Sequence, residues 1–213
     1  YRIDIKDLTD VRQEAYRQIK EMSKEPQDVE LVIPKAWMEP TIIIENGKDQ
    51  ALPMLPDHLM SQADGLFPTF LNPWEHEVIG IESSRDGFEA WYRNPARSSQ
   101  DSLGVTYVDN EVFKLMRPDF IFFARKPGGD IAVDIVDPHS LHLSDALPKL
   151  KGLAEYAEKH HSKYRRIESI ASIDDKVLMV LDLMEPTVRK RVQEADNAKA
   201  LFSGDLAEKY SEL

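Results

Sequence analysis

The apolar positions of this chain fall into two patterns, one at helical spacing and one of short continuous runs. Val11, Ala15, Ile19 and Met22 recur among charged neighbours, which predicts an amphipathic helix over 10–24, ended by Pro26. Asn72 followed by Pro73 is a favourable helix start, and Trp74, Val78 and Ile81 supply its apolar stripe. Ser144 or Asp145 opens another helix, with Leu147, Leu150, Ala154 and Ala157 on its buried face. A closing helix starts at Pro186, keeps Val188, Val192, Ala195, Ala198 and Leu201 on one face, and ends at Gly204. Runs of strand length occupy 88–92, 105–108, 120–124, 131–136, 164–172 and 177–183. Between the third and fourth of these lies Lys126-Pro127-Gly128-Gly129-Asp130, a turn that predicts a hairpin. The order helix, strand meander, helix, strand, strand, helix argues for an α/β fold, a single mixed sheet flanked by helices.

The stretch from Pro26 to Pro73 carries many of the prolines. Short strands are predicted over 29–33 and 41–45, with Asn46-Gly47 as a turn, and a short helix over 57–63. This composition suggests an irregular connector or a small β appendage after the N-terminal helix. The first residue is Tyr1 rather than Met, which suggests a piece of a longer protein.

Composition narrows the functional classes. A chain of 213 residues with 42% hydrophobic and 31% charged residues can bury a sizeable core. No run approaches the ~20 apolar residues that span a bilayer, so no membrane partner is expected. The absence of cysteine excludes disulfides and thiolate metal sites and fits a reducing cytoplasm. A net charge of -11 argues against a generic nucleic-acid binder, whose affinity rests on neutralising phosphates. It leaves room for an enzyme whose site carboxylates await a cation.

Two carboxylates stand out. Asp119 opens a strand directly after Pro118, and Asp134 lies inside the next one, among apolar neighbours. A carboxylate there is costly without a partner or metal, and two on adjacent strands can hold Mg²⁺ through oxygen. Asp137 is a possible further ligand if the strand ends in a bulge.

Pro118-Asp119, a hairpin, Asp134-Ile135-Val136 and then a lysine-bearing helix together resemble the PD-(D/E)XK nuclease superfamily. Leu71-Asn72-Pro73-Trp74-Glu75 and Trp91-Tyr92-Arg93-Asn94-Pro95 are similar to the C-terminal part of type III restriction-type helicase-nucleases, and the resemblance runs from Phe67 to Tyr210. It implies an N-terminal helix and Pro-rich connector over 1–66 and a nuclease-like domain over 67–213, with a restriction-endonuclease-like sheet, Mg²⁺- or Mn²⁺-dependent cleavage of DNA, and helicase domains upstream in the same polypeptide. On this reading Asp119, Asp134 and Glu75 hold the metal. Val136 stands where the family's lysine belongs, and the family can move that lysine to the following helix. Lys151, at the edge of the buried face, is the first candidate to replace it, and Lys149 the second. Arg93, Arg97 and His139 are candidates for contact with nucleic acid. His139 and His142 form a His-x-x-His pair, but no third or fourth zinc ligand is evident.

Two other classes remain open. The missing lysine could mark a catalytically inactive nuclease fold that binds DNA or supports a helicase, or the acidic pair could be accidental in an unrelated interaction domain. Surface carboxylates, snorkelling lysines and a solvated basic edge are the structural counterparts of each proposed role.

Overall fold

The structure is a computed structural model that describes residues 1–22, 34–45, 47–61, 65–96, 101–174 and 177–212. The predicted strand over 29–33 and Arg97 lie outside these residues. In chain order come β1 (Arg2–Asp4), α1 (Asp10–Met22), β2 (Ala36–Met38), β3 (Ile42–Glu45), β4 (Lys48–Ala51), β5 (Met54–Leu55) and β6 (Phe67–Pro68). They are followed by α2 (Pro73–Ser83), β7 (Phe88–Arg93), β8 (Val105–Asp109), β9 (Val112–Met116), β10 (Phe120–Arg125), β11 (Ile131–Pro138) and α3 (Ala146–His160). The chain closes with β12 (Arg166–Ile173), β13 (Val177–Asp182), α4 (Pro186–Glu194), α5 (Ala198–Phe202) and β14 (Glu208–Lys209).

Six strands form the central sheet in the order β14-β13-β12-β11-β10-β7. β7, β10 and β11 are an antiparallel meander, whose second turn is the Gly-rich loop predicted at 126–130. β11 and β12 then run parallel through the crossover helix α3, as a parallel pair requires. The mixed sheet flanked by helices matches the predicted α/β class. Between β7 and β10 the chain inserts a separate hairpin, β8–β9, of which only the first strand was predicted. Its inner face rests on α3 so closely that a Cβ at Gly152 would lie 2.4 Å from the Tyr107 Cβ.

Two further expectations change. The segment 57–61 is not helical: His58 bridges to Trp91 and Asp57 takes a left-handed φ of 62°. The closing helix is split into α4 and α5, with Asn197 capping the second through Ala200 N–H. Among the described residues no helix is long and apolar enough to cross a membrane.

The hydrophobic core crosses the expected boundary at 66/67. Ile3, Tyr16 and Ile19 from the N-terminal segment join Trp91, Tyr92 and Phe120 in one buried cluster. Polar ties reinforce it: Tyr16 donates to Asp101 at 2.9 Å and the buried Lys20 ammonium lies 3.1 Å from the same carboxylate. Trp91 Nε1 donates to the Pro56 carbonyl at 2.8 Å.

Candidate active site

The register between β10 and β11 decides which carboxylates meet. Phe120 pairs with Val136 and Phe122 with Asp134. One step beyond the first pair, Asp119 stands opposite Asp137, and the Asp119 amide donates to Asp137 Oδ1 at 3.1 Å. Side chains alternate along a strand, so Asp134 and Asp137, three residues apart, face opposite sides of the sheet.

The expected Asp119–Asp134 metal pair is therefore wrong, and the reason is strand geometry. Asp134 is fully buried and bound by arginines. Arg165 Nε donates to its Oδ1 at 3.0 Å, Arg166 Nη2 lies 2.8 Å from Oδ2, and Arg165 Nη2 also reaches Oδ2. Arg166 extends the network to Glu168 and to Glu82 of α2, and Tyr210 donates to Glu82. Burial, reinforced by Glu82 and opposed by Arg166, raises the Glu168 carboxyl to about 7. This cluster ties α2, the sheet and the C-terminal segment together. Charge-paired on every side, Asp134 has no role left as a metal ligand.

Asp119 and Asp137 instead line a cleft of about 310 Å³ with His139, Arg117, Tyr107 and Lys149. The cleft lies at the carboxyl end of β11, which pairs antiparallel with β10 on one side and parallel with β12 on the other; the carboxyl ends of strands are a common position for ligand sites in open α/β sheets. Asn94 braces the backbone that carries Asp119: its side chain donates to the Pro118 and Leu103 carbonyls at 2.8 and 2.9 Å and accepts from Leu103 N–H, while its own N–H donates to the Asp119 carbonyl. Burial first, then the Asp137 charge, push the Asp119 carboxyl up to about 7, with Arg93 opposing.

Glu75 comes from α2 but does not join as a ligand. Its Oε2 accepts from the Asn72 amide at 2.7 Å, completing a capping box, and its Oε1 takes Arg93 Nη1 at 2.6 Å. With both oxygens engaged, the expected role of Glu75 at the metal is lost to helix capping. Arg93 lies over the Phe120 ring and approaches Asp119 Oδ1 at 3.5 Å. It links the two carboxylates rather than pointing into solvent.

The two lysine candidates exchange rank. Lys149 lines the cleft and pairs with Asp145 at 2.9 Å, while Lys151 is absent from the cleft wall and its carbonyl accepts from Gln193 on α4. Two residues along a helix turn by about 200°, so the face that brings Lys149 to the cleft carries Lys151 away. Reasoning from the buried stripe alone overlooked that the site meets the first turn of α3 on the Tyr107 side, where Tyr107 donates to Asp145.

His139 shares the Asp137 face, two residues on. Its Nδ1 lies 3.5 Å from Asp137 Oδ2 and 3.2 Å from Ser169 Oγ. A Ser-His-Asp hydrolytic triad needs the serine and the acid on different ring nitrogens. Here both converge on Nδ1, and Ser169 is fully buried. The arrangement orients Asp137.

Among the described residues no three His, Asp or Glu side chains are grouped to hold a metal by themselves. Mg²⁺, however, is usually held by one or two carboxylates, with water and substrate phosphate completing its shell. Asp119 and Asp137, adjacent and with the Asp119 carboxyl pushed up by burial and by the Asp137 charge, fit that smaller donor set. Asp137 was weighed in the sequence only as an accessory to Asp134. The available signal was the odd spacing between them, which puts one of the two on the Asp119 side.

Comparison with known proteins bears on the chain as a whole. A model of the YagJ family matches residues 56–211. The chain is 53% identical over 210 residues to Protein YagJ of Escherichia coli (strain K12), covering 99% of this chain and 86% of that one. No solved structure matches. With most of its length matched by the family model and by this relative, the chain belongs to the YagJ family.

Proposed function

We propose that this chain hydrolyses phosphodiester bonds of DNA in the Asp119–Asp137 cleft, with Mg²⁺ or Mn²⁺ held by those two carboxylates. The observation that carries the reading is their meeting across β10 and β11 at the end of the parallel pair, with the Asp119 carboxyl held near 7. Support also comes from the helix–meander–crossover–strand order, which suits a restriction-endonuclease-like fold. The cation would supply Lewis acidity at the phosphate and a lowered pKa for attacking water. Lys149 is placed to offset phosphate charge from the cleft wall, since its Asp145 pair is a partly exposed i,i+4 contact, worth only a few tenths of a kcal/mol. Arg93 is a second cation for the backbone, once drawn from Glu75. Helicase association rests on the sequence resemblance alone. In the Escherichia coli relative, 86% of which is matched, a motor would have to be a separate chain.

The test is cleavage of DNA by the intact protein with Mg²⁺ or Mn²⁺ against EDTA, alongside Asp137→Asn. Metal-dependent cleavage abolished by that substitution is expected. Cleavage that persists in EDTA or in Asp137→Asn would overturn the assignment.

A second reading is favoured by one observation. Arg93 already bridges Glu75 and Asp119. On that reading the fold is an inactive DNA-binding or supporting module, and no metal-dependent cleavage occurs.

A further inference from the structure

We propose that the outer face of the β8–β9 hairpin binds a DNA strand with unpaired bases and leads it into the Asp119–Asp137 cleft, with Phe113 as a base-stacking platform. The proposal rests on the hydrolytic reading of that cleft and adds the form of the substrate.

The hairpin has two unlike faces. Val105 and Met116 form one inward pair, and Tyr107 fits against Gly152 of α3. On the outward face Val108 pairs with Phe113 and Thr106 with Leu115. Phe113 is 81% exposed, Val108 50% and Leu115 46%. An aromatic side chain this exposed gains nothing from packing within the fold, so its apolar faces are open to a ligand. The strip is continuous with the cleft: Leu115, Met116 and Arg117, at the end of the same hairpin, line the cavity that holds Asp119 and Asp137. A strand in the cleft would therefore pass along Leu115 toward Phe113.

Charge favours this mode of binding over a purely ionic one. A chain of net charge -11 repels a polyanion at long range, so contacts that carry no charge must supplement Lys149 and Arg93. Stacking of a base on an aromatic ring is such a contact and is tolerant of sequence. Paired bases hide these faces in the duplex, hence the preference for unpaired ones. The patch is too small for a second copy of the chain: three side chains on a two-stranded ribbon fall far short of the ~800 Å² per partner of a stable interface.

The experiment is fluorescence anisotropy of a labelled oligothymidylate and of a duplex, titrated with the intact protein in Ca²⁺ so that binding is read without turnover. Phe113→Ala should weaken oligothymidylate binding by roughly tenfold, toward the lower end of the loss expected for one stacked base. Duplex binding should barely change, and Phe113→Trp should retain the native affinity. Absence of oligothymidylate binding by the native protein, or equal affinity in Phe113→Ala, would overturn the proposal. So would a native dimer in sedimentation velocity that Phe113→Ala dissociates, which would assign the face to a second copy. Cleavage is read separately in Mg²⁺: a strand that is bound through Phe113 but never cut sinks the hydrolytic reading and leaves the binding surface standing.

Discussion

Asp119 holds its proton to about pH 7 because it is largely buried beside Asp137. An unfolded aspartate titrates near ~3.9. Between those values the folded chain binds the extra proton, so stability falls as pH rises from about 4 through 7 and the loss is complete above that. Asp119→Asn removes the loss. Its melting temperature should exceed the native value by a few degrees at pH 8, reflecting about 1 kcal/mol once partial exposure is allowed for, and should equal it at pH 4. The same gain at both pH values would show that the cost of ionising the buried Asp119 is not the cause. Cation binding offsets the same cost, so millimolar Mg²⁺ or Mn²⁺ should raise the native melting temperature by mass action. Asp137→Asn should abolish that response, and a native melting curve indifferent to either metal would count against the pair.

Strand β11 carries two polar clusters with opposite consequences for mutation. Asp134→Asn leaves Arg165 and Arg166 facing a neutral amide inside the α2–sheet–C-terminal network. Removing one partner of a buried pair costs about 3–5 kcal/mol, so its melting temperature should drop by roughly 10 °C while the shift with Mg²⁺ persists. Loss of the metal response in that variant would restore Asp134 to the site. On α3, Lys149→Ala should lower cleavage by about 10²–10³-fold, with Lys151→Ala near native; the reverse outcome would assign the cleft lysine to the other face. Much at this level was legible beforehand. The Gly-rich turn fixed the β10–β11 hairpin, and Asn72-Pro73 marked the start of α2. The sequence did not reveal β9, because Val112 to Met116 lacks a polar/apolar alternation and no side chain before Met116 is buried. It also misassigned Asp134, since an apolar run interrupted by a carboxylate looks the same whether metal or arginine answers it. Arg165 and Arg166 lie 31 and 32 residues along the chain from Asp134, across a crossover, and nothing local marks the pairing.

Across the whole molecule, α1 and the segment around His58 belong to the same core as the sheet. Met60 N–H approaches His58 Nδ1 and Arg93 N–H approaches Nε2, at 3.1 and 3.2 Å, so the connector grips the strand that carries Arg93. The division at 66/67 follows the start of the nuclease resemblance at Phe67, with the prolines before it suggesting a connector, and neither signal says anything about burial. A truncation to 67–213 would strip Tyr16, Ile19, Leu59 and Met60 from Trp91 and Tyr92. It should lack near-UV circular dichroism structure and be degraded rapidly in limited proteolysis; a stable, protease-resistant fragment would instead support two independent units. One last consequence follows from the interval between Asp134 and Asp137. Because it is odd, β11 is read once from each side, and the two readings check one another like a parity bit. A single inserted residue between them would leave one face or the other with the wrong side chain, whichever way the strand slipped. Length variation should therefore accumulate in the exposed 126–130 turn and be purged from the strand beside it, so that homologous chains can differ in how far the hairpin projects but not in the count of residues from one carboxylate to the other.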